Sequence, residues 1–209
     1  MKVISLISGG FDSAVSSYEM LRKGVEVVFV HFHPRKITNP SDNKVFCIAQ
    51  RLKEFGTCEK IYLVPFMEIQ KEIVKHVPSR FRMLVYRRMM LRIAGEVLKK
   101  EEGFALLTGD SLGQVASQTV ENLRVVYSAA PYAVLTPLLG ADKSDILQIA
   151  RKIETYELSI LPYEDCCSFL VPPHPETRAS LKDIENAEKP INIPELVATG
   201  LAQTKLVFF

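Results

Sequence analysis

Near the N-terminus, Ser8-Gly9-Gly10-Phe11-Asp12-Ser13 gathers two glycines, two serine hydroxyls and a carboxylate into six residues. Such a set suits a polyphosphate. Gly9 and Gly10 permit backbone angles and a close approach that a side chain would forbid. Ser8 and Ser13 add hydroxyl donors. Asp12 would repel phosphate unless a divalent cation stood between them, and Mg²⁺ is the usual mediator between carboxylate and phosphate oxygens. Asp12 is therefore the expected Mg²⁺ ligand, the plainer alternative being a first-turn acid that complements its helix dipole.

The elements around this run are those an anion site needs. Lys2–Ile7 is short, rich in branched apolar residues and stops at Ser-Gly-Gly, as a buried strand does. A helix is expected from Phe11 to Lys23, with Gly24 as its stop. A strand feeding a helix through Gly-Gly aims main-chain amides at whatever sits above the sheet. Val25–Phe32 is nearly continuous in apolar residues, the mark of a strand buried on both faces. Helices near 44–55, 66–75, 83–99 and 143–153 and strands near 60–64, 104–108 and 133–135 continue the alternation. The expected fold is α/β, a doubly wound, Rossmann-like parallel sheet, with ligands at the strands' carboxyl ends. From Leu161 onward, prolines at 162, 172, 173, 175, 190 and 194 predict extended chain and short turns. The expected organisation is one domain over residues 1–178, with a tail, 179–209, packing on it or on a partner. The apolar ending Lys205–Phe209 needs cover from its own domain or another subunit, so a homodimer is one possibility.

Composition excludes several classes. With 209 residues, 47% hydrophobic and 24% charged, the chain is long enough for a sizeable core and ordinary for a globular protein. No apolar run reaches the roughly 20 residues a bilayer needs, and no secretory signal is recognisable, so a cytoplasmic protein without membrane partners is expected. Four cysteines at positions 47, 58, 166 and 167 are too few for a disulfide framework. Cys47 and Cys58 read as core residues. Residues 51–100 carry 12 Lys+Arg against 5 Glu, and Arg80, Arg82, Arg87, Arg88 and Arg92 cluster with no acid among them. That density suits a phosphate-rich partner, or else a solvated basic helix face. Arg87 shares the helical stripe of Met83, Met90, Ala94 and Val97, and a cation there needs an anion, for which ATP phosphate or an RNA backbone would serve.

The loop lacks the spacings of kinase-like and dinucleotide-binding loops. It resembles the PP-loop ATP-pyrophosphatases, whose signature is Ser-Gly-Gly-x-Asp-Ser. Three further segments narrow the resemblance: Thr108–Thr119 (TGDSLGQVASQT), Pro137–Lys143 (PLLGADK) and Leu161–Cys167 (LPYEDCC). Together, over roughly residues 2–178, they resemble the catalytic domain of tRNA 4-thiouridine synthetases, some of which also supply thiamine sulfur. The resemblance implies ATP cleavage between the α and β phosphates, with pyrophosphate held by Ser8, Gly9, Gly10, Phe11, Asp12 and Ser13. It implies adenine held at His31-Phe32-His33, although either histidine could simply be a satisfied strand-end residue. Gly109, Asp110 and Ser111 are expected over the same crevice, with Gln114 and Gln118 bonding adenine, ribose or a base. A turn and a helix cap would explain Asp110 and Ser111 but not two glutamines and Thr119 on one segment.

Lys143 is expected to stabilise charge growing on the α-phosphate or pyrophosphate. The implied reaction adenylates the C4 oxygen of a tRNA uridine, and sulfur then displaces AMP. A cysteine persulfide is a suitable donor, because a sulfur nucleophile is available at neutral pH and a nearby thiol can complete transfer through a disulfide. Cys166 or Cys167 is the expected carrier, with the spacing from Lys143 favouring Cys166, although Glu164 and Asp165 would raise a neighbouring thiol's pKa. Family members carry RNA-binding domains ahead of the loop, whereas Ser8 almost begins this sequence. The tRNA is thus expected to need this domain's own basic surface or a separate RNA-binding subunit or domain. A separate sulfurtransferase or cysteine desulfurase is expected as donor. The alternatives are adenylation of a small molecule or sulfur-carrier protein, as in thiamine thiazole synthesis, and nucleotide binding without turnover.

Overall fold

A computed structural model describes residues 1–34, 43–163, 166 and 175–209. The chain runs β1 (Lys2–Leu6), α1 (Phe11–Leu21), β2 (Glu26–His33), α2 (Lys44–Leu52), β3 (Lys60–Pro65), α3 (Met67–His76), α4 (Arg82–Lys100) and β4 (Ala105–Leu107). It continues through α5 (Val120–Tyr127), β5 (Val134–Leu135), α6 (Lys143–Lys152), α7 (Tyr156–Ile160), α8 (Leu181–Glu188), α9 (Ile193–Ala202) and β6 (Lys205–Phe208). The sheet order is β5-β4-β1-β2-β3-β6, with β6 alone antiparallel, against β3. The α/β parallel architecture is thus the one expected.

Alternation along the strands divides the core in two. Ile4, Val28, Val30, Val64 and Leu106 face α3, α4, α5, α8 and α9. Val3, Val27, Phe29, Ile61 and Leu107 face α1, α2, α6 and α7. Because both faces are covered, the inner strands are apolar over most of their length, with Ser5, His31 and His33 as buried polar exceptions. Gly24, at φ +76°, makes the left-handed turn that sends the chain from α1 into β2.

The strand order reverses beside β1, which pairs with β2 on one side and β4 on the other. Loops leaving β1 and β4 diverge there and leave a crevice. Both the Ser8–Ser13 run and Thr108–Asp110 emerge at this point.

The last residues differ from the proline-based expectation. Pro194 lies in the first turn of α9, where a missing N–H costs nothing, and Asn192 caps the helix. Ser180 and Asp183 form a capping box that starts α8. These helices pack on α4, and β6 then returns to extend the sheet. The polar stretch after Thr108 likewise contains α5, capped by Thr119, which periodicity did not reveal.

Candidate active site

A cleft of about 530 Å³ opens at the topological switch, within the size range of small-molecule sites. Its wall takes Ser8, Asp12 and Ser13 from the first loop and Thr108, Gly109 and Asp110 from the end of β4. His31 and Phe32 come from β2, Met83, Arg87, Met90 and Leu91 from α4, and Leu6, Ile7, Val115–Gln118, Cys166 and Pro175 complete it.

The first loop is held by its serines. Ser8 N donates to Ser13 Oγ at 3.0 Å, and Gly10 N donates to Ser8 Oγ at 3.3 Å. Ser16 Oγ donates to the Thr108 carbonyl at 2.8 Å, and Ser17 Oγ lies 2.8 Å from Ser5 Oγ, tying α1 to β4 and β1. Gly10 occupies the N-cap with no side-chain cap, so the first-turn amides of α1 remain aimed along its positive end. Gly9, Gly10 and Phe11 build this loop but lie outside the cleft lining, and Phe11 packs against the core beneath. Gly109 lets the end of β4 touch the helix start, since a Cβ there would stand 2.6 Å from Ser13 N.

Asp12 carries the unmet demand. Its Oδ1 is buried and has no hydrogen-bond partner among the described residues. Burial pushes its pKa up, the charge of Lys143 partly opposes this, and Asp110 adds to the rise. Lys143 opens α6, which packs against α1, and stands exposed near enough for its charge to be felt by Asp12. A buried carboxylate oxygen without a donor, beside uncapped amides, fits a divalent cation shared with phosphate oxygens. Among the described residues no group of three or more His, Cys, Asp or Glu could hold a metal by itself. Phosphate and water would have to complete the coordination.

The arginine cluster corrects the sequence-based expectation. Arg87 has its anion within the protein: its Nη2 lies 2.5–2.7 Å from both Asp110 carboxylate oxygens, and Nη1 donates to the Ser117 carbonyl at 3.0 Å. Asp110 also accepts from Tyr127 Oη at 2.6 Å, Thr108 Oγ1 at 2.9 Å and Gln118 Nε2 at 3.0 Å. Burial raises the Asp110 pKa, but Arg87 and these donors more than offset it, and the carboxyl is held below its usual range. Arg87, Asp110 and Gln118 therefore brace one wall of the cleft. Arg88 and Arg92 both grip Glu188 at 2.7–3.0 Å, tying α8 to α4. Arg82 donates to the Val74 and Val77 carbonyls at the end of α3. A basic run that read as a phosphate surface is largely spent on internal acceptors.

Other expected residues separate. Gln114 is exposed on a turn and does not line the cleft, whereas Gln118 does. Ser111 is buried outside the lining. His31 Nδ1 lies 3.0 Å from the Ile7 carbonyl and Nε2 lies 2.7 Å from Tyr163 Oη, so both ring nitrogens have partners within the protein. His33 stacks on His31 outside the lining. Cys166 lies in the cleft wall at 2% exposure, its carbonyl accepting from Gln70 Nε2 at 2.8 Å. Cys167, Glu164 and Asp165 lie outside the described residues. Burial pushes the Cys58 thiol up to about 12, in keeping with a core residue. Sequence reasoning assigned no individual role to Tyr163, Asn43, Tyr127 or Gln70, whose contacts join segments far apart in the chain.

Comparison with known proteins bears on the family and the fold. The family described as "Thiamine biosynthesis protein (ThiI)" matches residues 1–193. A probable tRNA sulfurtransferase of Thermus thermophilus is 44% identical over 209 residues, covering 100% of this chain and 52% of that protein. A probable tRNA sulfurtransferase of Anoxybacillus flavithermus is 41% identical over 207 residues, covering 99% of this chain and 52% of that protein. The chain thus spans about half the length of the curated relatives it matches. A 4-thiouridine synthetase, solved as an RNA complex with bound ATP, superposes with a TM-score of 0.92 at 36% identity, covering 100% of this chain and 55% of that one. NMN synthetase from Francisella tularensis shares the fold alone, at a TM-score of 0.58 and 11% identity over 96% of this chain and 80% of that one.

Proposed function

We propose that this chain, which belongs to the ThiI family of thiamine biosynthesis proteins, carries out the ATP-dependent thiolation of a tRNA uridine. ATP is the nucleotide, the C4 oxygen of uridine takes up AMP, pyrophosphate leaves, and sulfur replaces AMP at C4. The observation that carries this reading is the buried, partnerless Asp12 Oδ1 beside the uncapped start of α1, in a cleft whose wall also contains a cysteine.

In this reading the first-turn amides of α1 grip the departing pyrophosphate. Asp12 would hold Mg²⁺, which would neutralise phosphate charge there. Lys143 stabilises the charge that builds as the α–β bond breaks. Gly109 keeps the end of β4 tight against the loop, and the Arg87–Asp110–Gln118 brace fixes the opposite wall. The terminal sulfur of a persulfide on Cys166 attacks C4 and expels AMP. A second thiol, for which adjacent Cys167 is the candidate, then attacks the cysteine sulfur, leaving a disulfide and the 4-thio base. A cysteine desulfurase or sulfurtransferase loads the persulfide. With the arginine cluster largely internal, a separate RNA-binding subunit or domain presents the tRNA. No described helix is long and apolar enough to cross a membrane, and the reaction belongs in the cytoplasm, where ATP, tRNA and reduced thiols coexist.

The test is incubation with ATP, Mg²⁺, cysteine, a cysteine desulfurase and unmodified tRNA, the last at concentrations high enough to bind without the RNA-binding partner, followed by nucleotide analysis. RNA-dependent AMP and pyrophosphate, with thiouridine in nuclease digests, are expected. ADP and phosphate would overturn α–β cleavage, and AMP formation indifferent to RNA would point to a small-molecule or carrier-protein acceptor.

A further inference from the structure

A hydrogen-bonded chain runs from the base of the phosphate loop to the segment that bears Cys166. The Ile7 carbonyl, one residue before Ser8, can only accept, so His31 Nδ1 at 3.0 Å carries the proton. In the neutral imidazole Nε2 is then an acceptor, and Tyr163 Oη at 2.7 Å donates to it. The same hydroxyl accepts from Asn43 Nδ2 at 3.0 Å, while Asn43 Oδ1 caps α2 by accepting from Val45 N at 2.8 Å. Alongside, Lys44 Nζ donates to the carbonyls of Ser159 and Leu161 at 2.7 and 2.8 Å and stands 5.6 Å from the Tyr163 ring centroid. Tyr163 Cδ1 would lie 3.0 Å from a Cβ on Gly9, so the ring rests on the phosphate loop itself.

We infer that Tyr163 is a positioning residue that registers the Cys166 segment against the phosphate loop through its hydroxyl contacts to His31 and Asn43. Three residues of chain span at most about 10 Å, so fixing Tyr163 limits where the Cys166 sulfur can travel. Gln70, bonded to the Cys166 carbonyl, anchors the segment from the α3 side. Tyr163 itself does not line the cleft. Its effect is on delivery of sulfur to the activated base and not on gripping of the nucleotide. As a role in sulfur delivery this rests on the function proposed above, but the anchoring can be measured separately.

Tyr163→Phe keeps the ring and removes the hydroxyl. The first measurement follows iodoacetamide alkylation of each cysteine by peptide mass spectrometry, without ATP or RNA. Cys166, 2% exposed, should react about tenfold faster in the variant, the scale expected for loss of two hydrogen bonds. Cys58, 0% exposed in the other core, should stay protected and so reports on general loosening. Unchanged Cys166 protection, or equal acceleration of both thiols, overturns the anchoring. Asn43→Ser retains a cap for α2 and should accelerate Cys166 in the same direction; failure to do so also counts against it. The second measurement is thiouridine formed per AMP released. In Tyr163→Phe this ratio should fall about tenfold with AMP formation near wild type, whereas a parallel fall in both, or an unchanged ratio, overturns the positioning role. Wild-type protein that gives no thiouridine would sink the proposed function and the delivery role together, while the alkylation result would still decide the anchoring.

Discussion

Gly109→Ala places a methyl group against the backbone of the proposed phosphate site. The new Cβ would stand 2.6 Å from Ser13 N, 2.7 Å from the Asp12 carbonyl carbon and 2.8 Å from Ser13 Cα. The start of α1 would have to withdraw by roughly half an ångström or more to restore ordinary contact. It is not free to move, because Ser16 bonds the Thr108 carbonyl immediately before Gly109 and Ser17 is bonded to Ser5 on β1. Overpacking of this kind costs about 1–3 kcal/mol, read as a lower urea midpoint. The displaced groups are Asp12 and Ser13, so pyrophosphate release should fall by about 10–100-fold even where the variant is fully folded. Gly140→Ala is the matched control: it is exposed, has nothing within 4 Å of the added carbon, and should change stability by less than about 0.5 kcal/mol. A Gly109→Ala protein with wild-type midpoint and wild-type pyrophosphate release would refute the idea that this contact sets the loop. Loss of stability with kcat/KM intact would show that the contact is structural only.

Three further outcomes follow from the charged groups. Asp12→Asn should cut pyrophosphate release by about 10²–10³-fold; because burial raises the Asp12 pKa, the ionised form destabilises the nucleotide-free fold as pH rises above the ordinary 3.8 through the folded value. Its melting temperature should therefore exceed wild type near neutrality and converge with it in acid; a lower value near neutrality would contradict the raised pKa. Lys143→Ala should slow pyrophosphate release by about 10²-fold and, since Lys143 lowers the Asp12 pKa, move the acid limb of the pH–rate profile upward; a limb that stays put would separate the two residues. Burial pushes the Glu188 pKa up, but Arg92 and Arg88 hold it below its usual 4.5, so its stabilisation is present above that value and lost as pH falls through the folded one. Glu188→Gln leaves Arg88, 4% exposed, without a full counter-charge and should cost about 3 kcal/mol or more near neutrality in denaturant unfolding, with a shallower acid transition; a cost below about 1 kcal/mol would show that the clamp is not needed.

Much of the molecule could be read from the chain before any coordinates. The Ser-Gly-Gly run, the strand before it and the helix after it are local features, and the continuous apolar run of β2 carries the signature of a strand buried on both faces. Asp12 stood out because a carboxylate beside a phosphate loop requires a cation, and its partnerless Oδ1 keeps that demand in view. Local rules misled at the C-terminus, where α8 and α9 formed despite the prolines, because Pro190 falls between the two helices and Pro194 sits in the first turn of α9, where a proline is compatible with a helix.

The sequence by itself determined the Ser-Gly-Gly turn, the alternation of strands and helices from β1 to α4 and the candidate residues for chemistry, since backbone freedom, periodicity and side-chain type are properties of short stretches. Only the tertiary structure decided which charge meets which. Arg87 finds Asp110 23 positions away and Arg88 finds Glu188 100 positions away, so a run that reads as a basic surface becomes internal bracing. The same holds for Gly109 against α1 and Tyr163 against His31: a contact across the fold depends on how close the backbones come, and no local pattern of residue types encodes that distance.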